Sequence, residues 1–146
     1  MESKKNILKV AIIFFIVILD YVTKYFFSEK VLLIIPGILE INYVRNYGLI
    51  YGMFSKNLFL TILLPLAILG VLIYLSLKLK NKNYTLPLLL VISGIIGNLI
   101  SRIQFGYVID FIYMPFLQPI FPNFNIADLA VFIGVMFLVI KIIKSK

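Results

Sequence analysis

From Leu58 to Leu77 the chain runs for 20 residues without a charged side chain. Hydrocarbon offers no water to backbone N–H and C=O groups, so a run of this length satisfies them internally, as a membrane-crossing helix. Pro65 and Gly70 inside it are better tolerated in a bilayer than in water. Three more segments read the same way, over residues 7–27, 83–101 and 125–143. The first is about 31 Å long at the helical rise of 1.5 Å per residue. Its start, MESKKNILKVAIIFF, has the basic-then-apolar order of a signal peptide. No small-residue cleavage site follows, and Asp20 and Lys24 come instead, so it is expected to be retained. The fourth segment has an uncharged core of only 12 residues, Leu129 to Ile140, and reaches spanning length by including Asp128 and Lys141.

The composition agrees: 62% of the 146 residues are hydrophobic and 14% charged, where a soluble domain carries about a quarter. A single integral membrane domain over residues 1–146 is expected, with spans 58–77 and the three above, and outer segments 28–57 and 103–124. Within 28–57, Leu39, Ile41, Tyr43 and Arg45 alternate with Glu40, Asn42, Val44 and Asn46. Pro36-Gly37 and Tyr47-Gly48 punctuate the ends, which predicts a small amphipathic sheet at the membrane surface. Segment 103–124 carries three prolines and a set of aromatics that includes Phe105, Tyr107, Phe111, Tyr113, Phe116 and Phe121, and is expected to be an aromatic loop anchored at the interface.

The net charge of +8 is a topology signal. With four spans, Lys4, Lys5, Lys9, Lys78, Lys80, Lys82, Lys141, Lys144 and Lys146 fall on one side, against Lys24, Lys30, Arg45, Lys56 and Arg102 elsewhere. The positive-inside rule puts both termini in the cytoplasm. No basic stripe marks a nucleic-acid interface. The chain has no Cys and no His, which removes thiol nucleophiles, Ser-His-Asp triads and the usual zinc ligands. No metal or other cofactor is expected. Acid–base chemistry falls to six carboxylates, Lys, Tyr or water.

The remaining polar residues gather near one membrane boundary. Asp20 and Lys24 sit in the outer half of the first span, and Asn46 and Gly48 in the outer loop. Asn98 and Arg102 end the third span, Asp110 lies in the aromatic link, and Asn125 and Asp128 open the fourth span. Each also has a structural reading. Asp20 and Lys24 are an i,i+4 pair that neutralises itself. Arg102 divides evenly between snorkelling to headgroups and binding substrate. Gly94 shares a face with Asn98 and Arg102, and Ser93, Gly97 and Ser101 form an adjacent small-residue stripe suited to close helix packing. Asn46-Tyr47-Gly48 alone is an ordinary turn. Asn125 and Asp128 alone have the spacing of a capping box. Asp110 is harder to explain structurally, because Val, Ile and Phe flank it and an ionised carboxylate there is disfavoured. Placed opposite Asp128, it forms a pair that shares one proton and titrates as a unit, one carboxyl serving as base and the other as acid in peptide hydrolysis.

The blocks DYVTK (Asp20–Lys24), VRNYG (Val44–Gly48), GNLISR (Gly97–Arg102), VIDFI (Val108–Ile112) and FNIAD (Phe124–Asp128), in this order, resemble lipoprotein signal peptidase (signal peptidase II), a membrane aspartyl protease family. The resemblance covers nearly the whole chain. It implies an all-α membrane protein of four transmembrane helices with a small extracytoplasmic β-sheet cradle and an aromatic outer loop. Asp110 and Asp128 map onto the catalytic aspartates. Asn46, Gly48, Asn98, Arg102 and Asn125 map onto residues that line or support the peptide site, and Asp20 and Lys24 onto supporting positions. The implied substrate is a diacylglyceryl-modified prolipoprotein cut just before its lipidated cysteine, at the outer face of the bacterial cytoplasmic (inner) membrane, with membrane lipids around a monomer. Leu49, Ile50, Ser101 and Leu129 depart from the usual pattern and bear on substrate preference.

Two other classes compete. A small proton- or ion-coupled transporter also uses intramembrane carboxylates, but here they cluster at one boundary and no inverted repeat is visible. A non-catalytic assembly subunit would use the small-residue stripe as its interface and leaves Asp110 unexplained.

Overall fold

The computed structural model describes residues 2–48, 55, 57–78, 82–118 and 121–144, without the side chains of residues 2–6 and 82. Leu49, Ile50 and Lys56 lie outside the described residues. In chain order the elements are helix α1 (Glu2–Phe27), strands β1 (Val31–Ile35) and β2 (Leu39–Asn46), α2 (Leu64–Lys78), α3 (Thr85–Phe105), β3 (Val108–Tyr113) and α4 (Ile126–Lys144). A π-helical turn, Phe59–Leu63, leads into α2. The turn runs without a break into α2, so Pro65, which has no N–H to donate, follows directly on the π-helical residues.

Three helical stretches are long and apolar enough to cross a membrane: Phe59–Lys78, Thr85–Phe105 and Ile126–Lys144. The fourth span, whose uncharged core is only 12 residues, is therefore among them. α1 is the longest helix, 26 residues, and joins the other helices through a buried ionic pair described below. α3 and α4 pack most closely. A methyl group on Gly94 would lie 2.3 Å from the Ala127 carbonyl oxygen, and one on Gly134 would lie 2.7 Å from the Pro87 carbonyl oxygen. Backbone approach of this kind, rather than bulky interlocking, holds helices together in lipid. The small-residue stripe serves the same packing: Ser93 and Ser101 are buried, their hydroxyls donating to the Leu89 and Gly97 carbonyls.

The sheet has three strands in the order β1-β2-β3, both pairs antiparallel. Ile35-Pro36-Gly37-Ile38 turns β1 into β2, with Gly37 at φ 71° and Ile38 N–H donating to the Ile35 carbonyl, as a type II turn requires of its third residue. The third strand corrects the expected aromatic loop. VIDFIY has no polar alternation because Val108, Ile109, Asp110 and Phe111 are all buried, and a short apolar run cannot be told from other buried structure by period. The aromatics of the link separate accordingly. Phe111 is buried and stacks on Phe27 at 5.0 Å between ring centroids, while Phe116 is exposed. α3 gives way to β3 at Gly106, whose φ of 79° and N–H bond to the Arg102 carbonyl form a left-handed helix cap that glycine adopts without strain.

Candidate active site

β3 and the start of α4 are stitched together before either side chain is considered. Phe111 and Ile112 N–H groups donate to the Phe124 carbonyl, and the Phe124 N–H donates to Ile112. This bridge ties the first residues ahead of α4 to the strand that carries Asp110, bringing two distant parts of the sequence to one point. On the other side β2 pairs with β3 so that Val44 faces Asp110 and Asn46 faces Val108.

Asp110 is 3% exposed. Its two oxygens accept from different asparagines, Oδ1 from Asn125 Nδ2 at 2.6 Å and Oδ2 from Asn46 Nδ2 at 3.0 Å. Burial, reinforced by the nearby Asp128 carboxylate, pushes its carboxyl up from the ordinary 3.8 to about 7, against the pull of the two amide donors. Asp128 sits in the first turn of α4. Its Oδ2 accepts the Asn125 backbone N–H at 3.2 Å, and its own N–H donates to Asn125 Oδ1 at 2.9 Å. These two bonds are a reciprocal capping box. The other oxygen, Oδ1, accepts from Asn98 Nδ2 at 2.7 Å.

Behind Asp128 lies the ionic pair of α1. Lys24 Nζ donates to Asp20 Oδ2 at 2.7 Å and to Asn98 Oδ1 at 2.9 Å. Asp20 Oδ1 accepts the Ala127 N–H at 2.8 Å, satisfying one of the free donors at the start of α4. Gly97 lets this happen, since a methyl group there would lie 2.7 Å from Asp20 Oδ2. Arg102 reaches the segment that follows β2. Its Nη2 donates to the Gly48 carbonyl at 2.9 Å, and the Gly48 N–H donates to Asn46 Oδ1 at 3.0 Å. Among the described residues its Nε is buried without a hydrogen-bond partner.

All nine residues singled out in the sequence thus join one connected polar cluster. Asn46, Asn98, Arg102, Asp110 and Asp128 line a cavity of about 660 Å³ that runs from the aspartates along an apolar wall including Pro65, Ile95, Phe132 and Val135. A second cavity of about 330 Å³ touches Asp110 and Asn46 and is bounded by Arg45, Tyr113 and Gln118. Asn125 is fully buried, with its amide used by Asp110 and Asp128, so it lies beneath the cavity surface. Asp20 and Lys24 are likewise buried. Asn123 was not singled out, yet it lines both cavities and donates to the Asn42 carbonyl at 2.6 Å. The only mark it leaves in the sequence is an amide inside the aromatic stretch FPNF. Among the described residues, no cluster of three or more carboxylates is arranged to hold a metal.

Two carboxylates at one end of an apolar cavity, both supplied with amide donors, suit activation of water beside a polarised carbonyl. The model of the peptidase A8 family, signal peptidase (SPase) II, matches residues 12–144. The chain belongs to this family. It is an aspartic endopeptidase of the signal peptidase II type and a membrane protein. The lipoprotein signal peptidase of Clostridium tetani is 39% identical to it, covering 94% of each chain. That of Buchnera aphidicola subsp. Baizongia pistaciae is 40% identical, covering 86% of each. A solved bacterial membrane enzyme, determined by the in meso method at 2.3 Å resolution, superimposes with a TM-score of 0.87 at 33% identity, covering 94% of this chain and 88% of its own.

Proposed function

We propose that Asp110 and Asp128 are the catalytic pair of this signal peptidase, cutting a diacylglyceryl-modified prolipoprotein just before its lipidated cysteine. The observation that carries the reading is the position of both carboxylates at the polar end of the larger cavity, whose remaining wall is apolar. Signal segment and acyl chains would occupy that wall, while the polar mature segment leaves through the smaller cavity beyond Asp110. Asp128 takes a proton from water, which attacks the scissile carbonyl carbon. Asp110, whose carboxyl holds its proton up to about pH 7, donates to the carbonyl oxygen. Collapse of the tetrahedral intermediate breaks the C–N bond as the cysteine nitrogen takes up a proton. Arg102, with an unpaired buried Nε, offers a donor to the bound peptide.

The protein acts as a monomer embedded in lipid, one membrane domain with both termini cytoplasmic and the site at the outer face of the inner membrane. α2 ends and α4 ends with lysines, Lys78, Lys141 and Lys144, and Lys141 reaches the Asn83 carbonyl just ahead of α3. A reporter fused at residue 82 is expected inside the cell; finding it outside reverses the orientation. The chemical test uses purified protein and a lipidated prolipoprotein. Cleavage is expected from wild type and a loss of about 10³-fold in Asp110→Asn and in Asp128→Asn, both still folded. Normal cleavage by either variant removes that aspartate from the mechanism.

A further inference from the structure

The two aspartates receive amide hydrogens whose direction is not free. An asparagine amide can rotate by half a turn and exchange its donor for its acceptor, so something must decide which end faces a carboxylate. For Asn125 the decision is made by a backbone group: the Asp128 N–H requires an acceptor, and this places Oδ1 there and leaves Nδ2 for Asp110. For Asn98 the deciding group is Lys24. Its ammonium has three donors and no acceptor, so the Asn98 atom 2.9 Å away is the oxygen. Asn125 Nδ2 approaches the same oxygen at 3.3 Å. Nδ2 of Asn98 is thereby turned to Asp128 Oδ1.

We infer that Lys24 is a positioning residue that acts through Asn98, fixing the amide so that Asp128 always meets a donor and the shared proton stays with Asp110. The inference rests on the catalytic reading of the two aspartates given above. It changes the part given to Asn98, whose oxygen and one of whose two amide hydrogens are engaged within the protein; Asn98 aligns a reacting carboxylate and has at most one N–H left for peptide. It also separates Lys24 from simple neutralisation of Asp20. A cation serving only Asp20 has no need of the bond to Asn98, which lies 74 positions away on another helix. Without Lys24 the flipped amide presents its oxygen to Asp128. That arrangement is satisfied only when Asp128 carries the proton, and the base is then blocked.

A double-mutant cycle on Lys24 and Asn98, with a lipidated prolipopeptide in detergent micelles, tests this. Lys24→Met and Asn98→Leu are each expected to lower kcat by about 100-fold, the size of a misplaced reacting group, with KM within about threefold. In the Asn98→Leu background, Lys24→Met should add less than about twofold. Lys24→Arg, which keeps an obligate donor, should recover kcat to within about tenfold of wild type. Multiplying losses in the double variant, or an unchanged kcat in Lys24→Met, overturns the inference. Should Lys24→Met not fold, it is combined with Asp20→Asn so that no buried charge is left unpaired, and this double variant is compared with and without Asn98→Leu: a further loss below about twofold supports the inference and a larger one overturns it. If wild type cleaves and the losses multiply, the positioning role alone fails. If wild type does not cleave, or Asp110→Asn does, the catalytic reading itself fails.

Discussion

α2 and α3 both read as membrane spans, yet they sit in the molecule in opposite ways. The span Phe59–Lys78, of which α2 is the larger part, is the more apolar, and only 6% of its apolar stretch is buried; for α3 the share is 56%. In water the more apolar helix would be the more buried. In lipid the acyl chains are as apolar as Leu, so the packed helix is the one with small and polar residues to bring inward. α3 has Ser93, Gly94, Gly97 and Ser101 in its buried set, along with the half-buried Asn98 and Arg102. α2 offers Gly70, with nothing within 4 Å of where its side chain would be, and contributes Pro65 to the cavity wall. Hydropathy therefore finds both helices, whereas the pattern of small and polar residues finds the one that builds the site.

The largest stability effect expected from breaking this contrast is at the partner α3 packs around. Asp20→Leu strands Lys24 as a buried, uncompensated charge and takes the acceptor from the Ala127 N–H. The cost should be about 3–5 kcal/mol, read as a fall in the unfolding midpoint in micelles. An unchanged midpoint would mean that the pair contributes nothing to the α1–α3–α4 junction. Next is Gly94→Ala, where the new methyl meets the Ala127 carbonyl and Val131 Cγ2 at 2.3 and 2.6 Å. Forcing the helices apart should cost about 1–3 kcal/mol. Because Ala127 adjoins Asp128, cleavage should suffer more than stability does. A stable, fully active Gly94→Ala protein would show that the α3–α4 contact can relax without disturbing the aspartate.

Much of this was legible in the sequence because polar residues in lipid need a reason, and the reasons converge. Asp20, Asn98, Asp110 and Asp128 stand out singly against apolar neighbours, and their common boundary joins them before any coordinates do. Asn125 and Asp128 carry their local geometry in their spacing, and the reciprocal capping box forms as that spacing requires. β3 was not legible. Apart from Asp110 and Tyr113 its residues are apolar on both faces, because one face meets α1 through Phe27 and the other meets the site, so the alternation that marks β2 is absent. The links between asparagines were also hidden. An amide's partner depends on which of its two ends is turned outward, and that is set by a lysine 74 positions away or a backbone N–H three positions on. Asn123, inside an aromatic run, owes its place to the bridge between β3 and Phe124.

A test by pH concerns the side of the site that α3 does not supply. Asp110 has its carboxyl raised from 3.8 to about 7 by burial and by Asp128. The folded protein therefore binds this proton more tightly than the unfolded chain. The stabilisation is complete below about pH 4, declines as pH rises through the interval up to about 7, and is flat above it. Asp110→Asn should level this part of the midpoint-against-pH curve, and wild-type kcat/KM should fall on the alkaline side as the proton leaves. A stability that falls between pH 4 and 7 as much in the variant as in wild type would assign the titration elsewhere.

The smallest effect should come from α2, and it is the sharpest check on the contrast. Gly70→Ala places a methyl group in open space and restricts a flexible helical residue, so stability should rise by about 0.5–1 kcal/mol with cleavage unchanged. The same chemical change thus has opposite signs on two helices of similar length: unfavourable at Gly94, favourable at Gly70. A loss at Gly70 would mean that α2 meets a neighbour in the membrane, either another copy of the chain or the substrate's own apolar segment. Adding saturating lipidated substrate separates those two, since only a substrate contact makes the penalty depend on its presence.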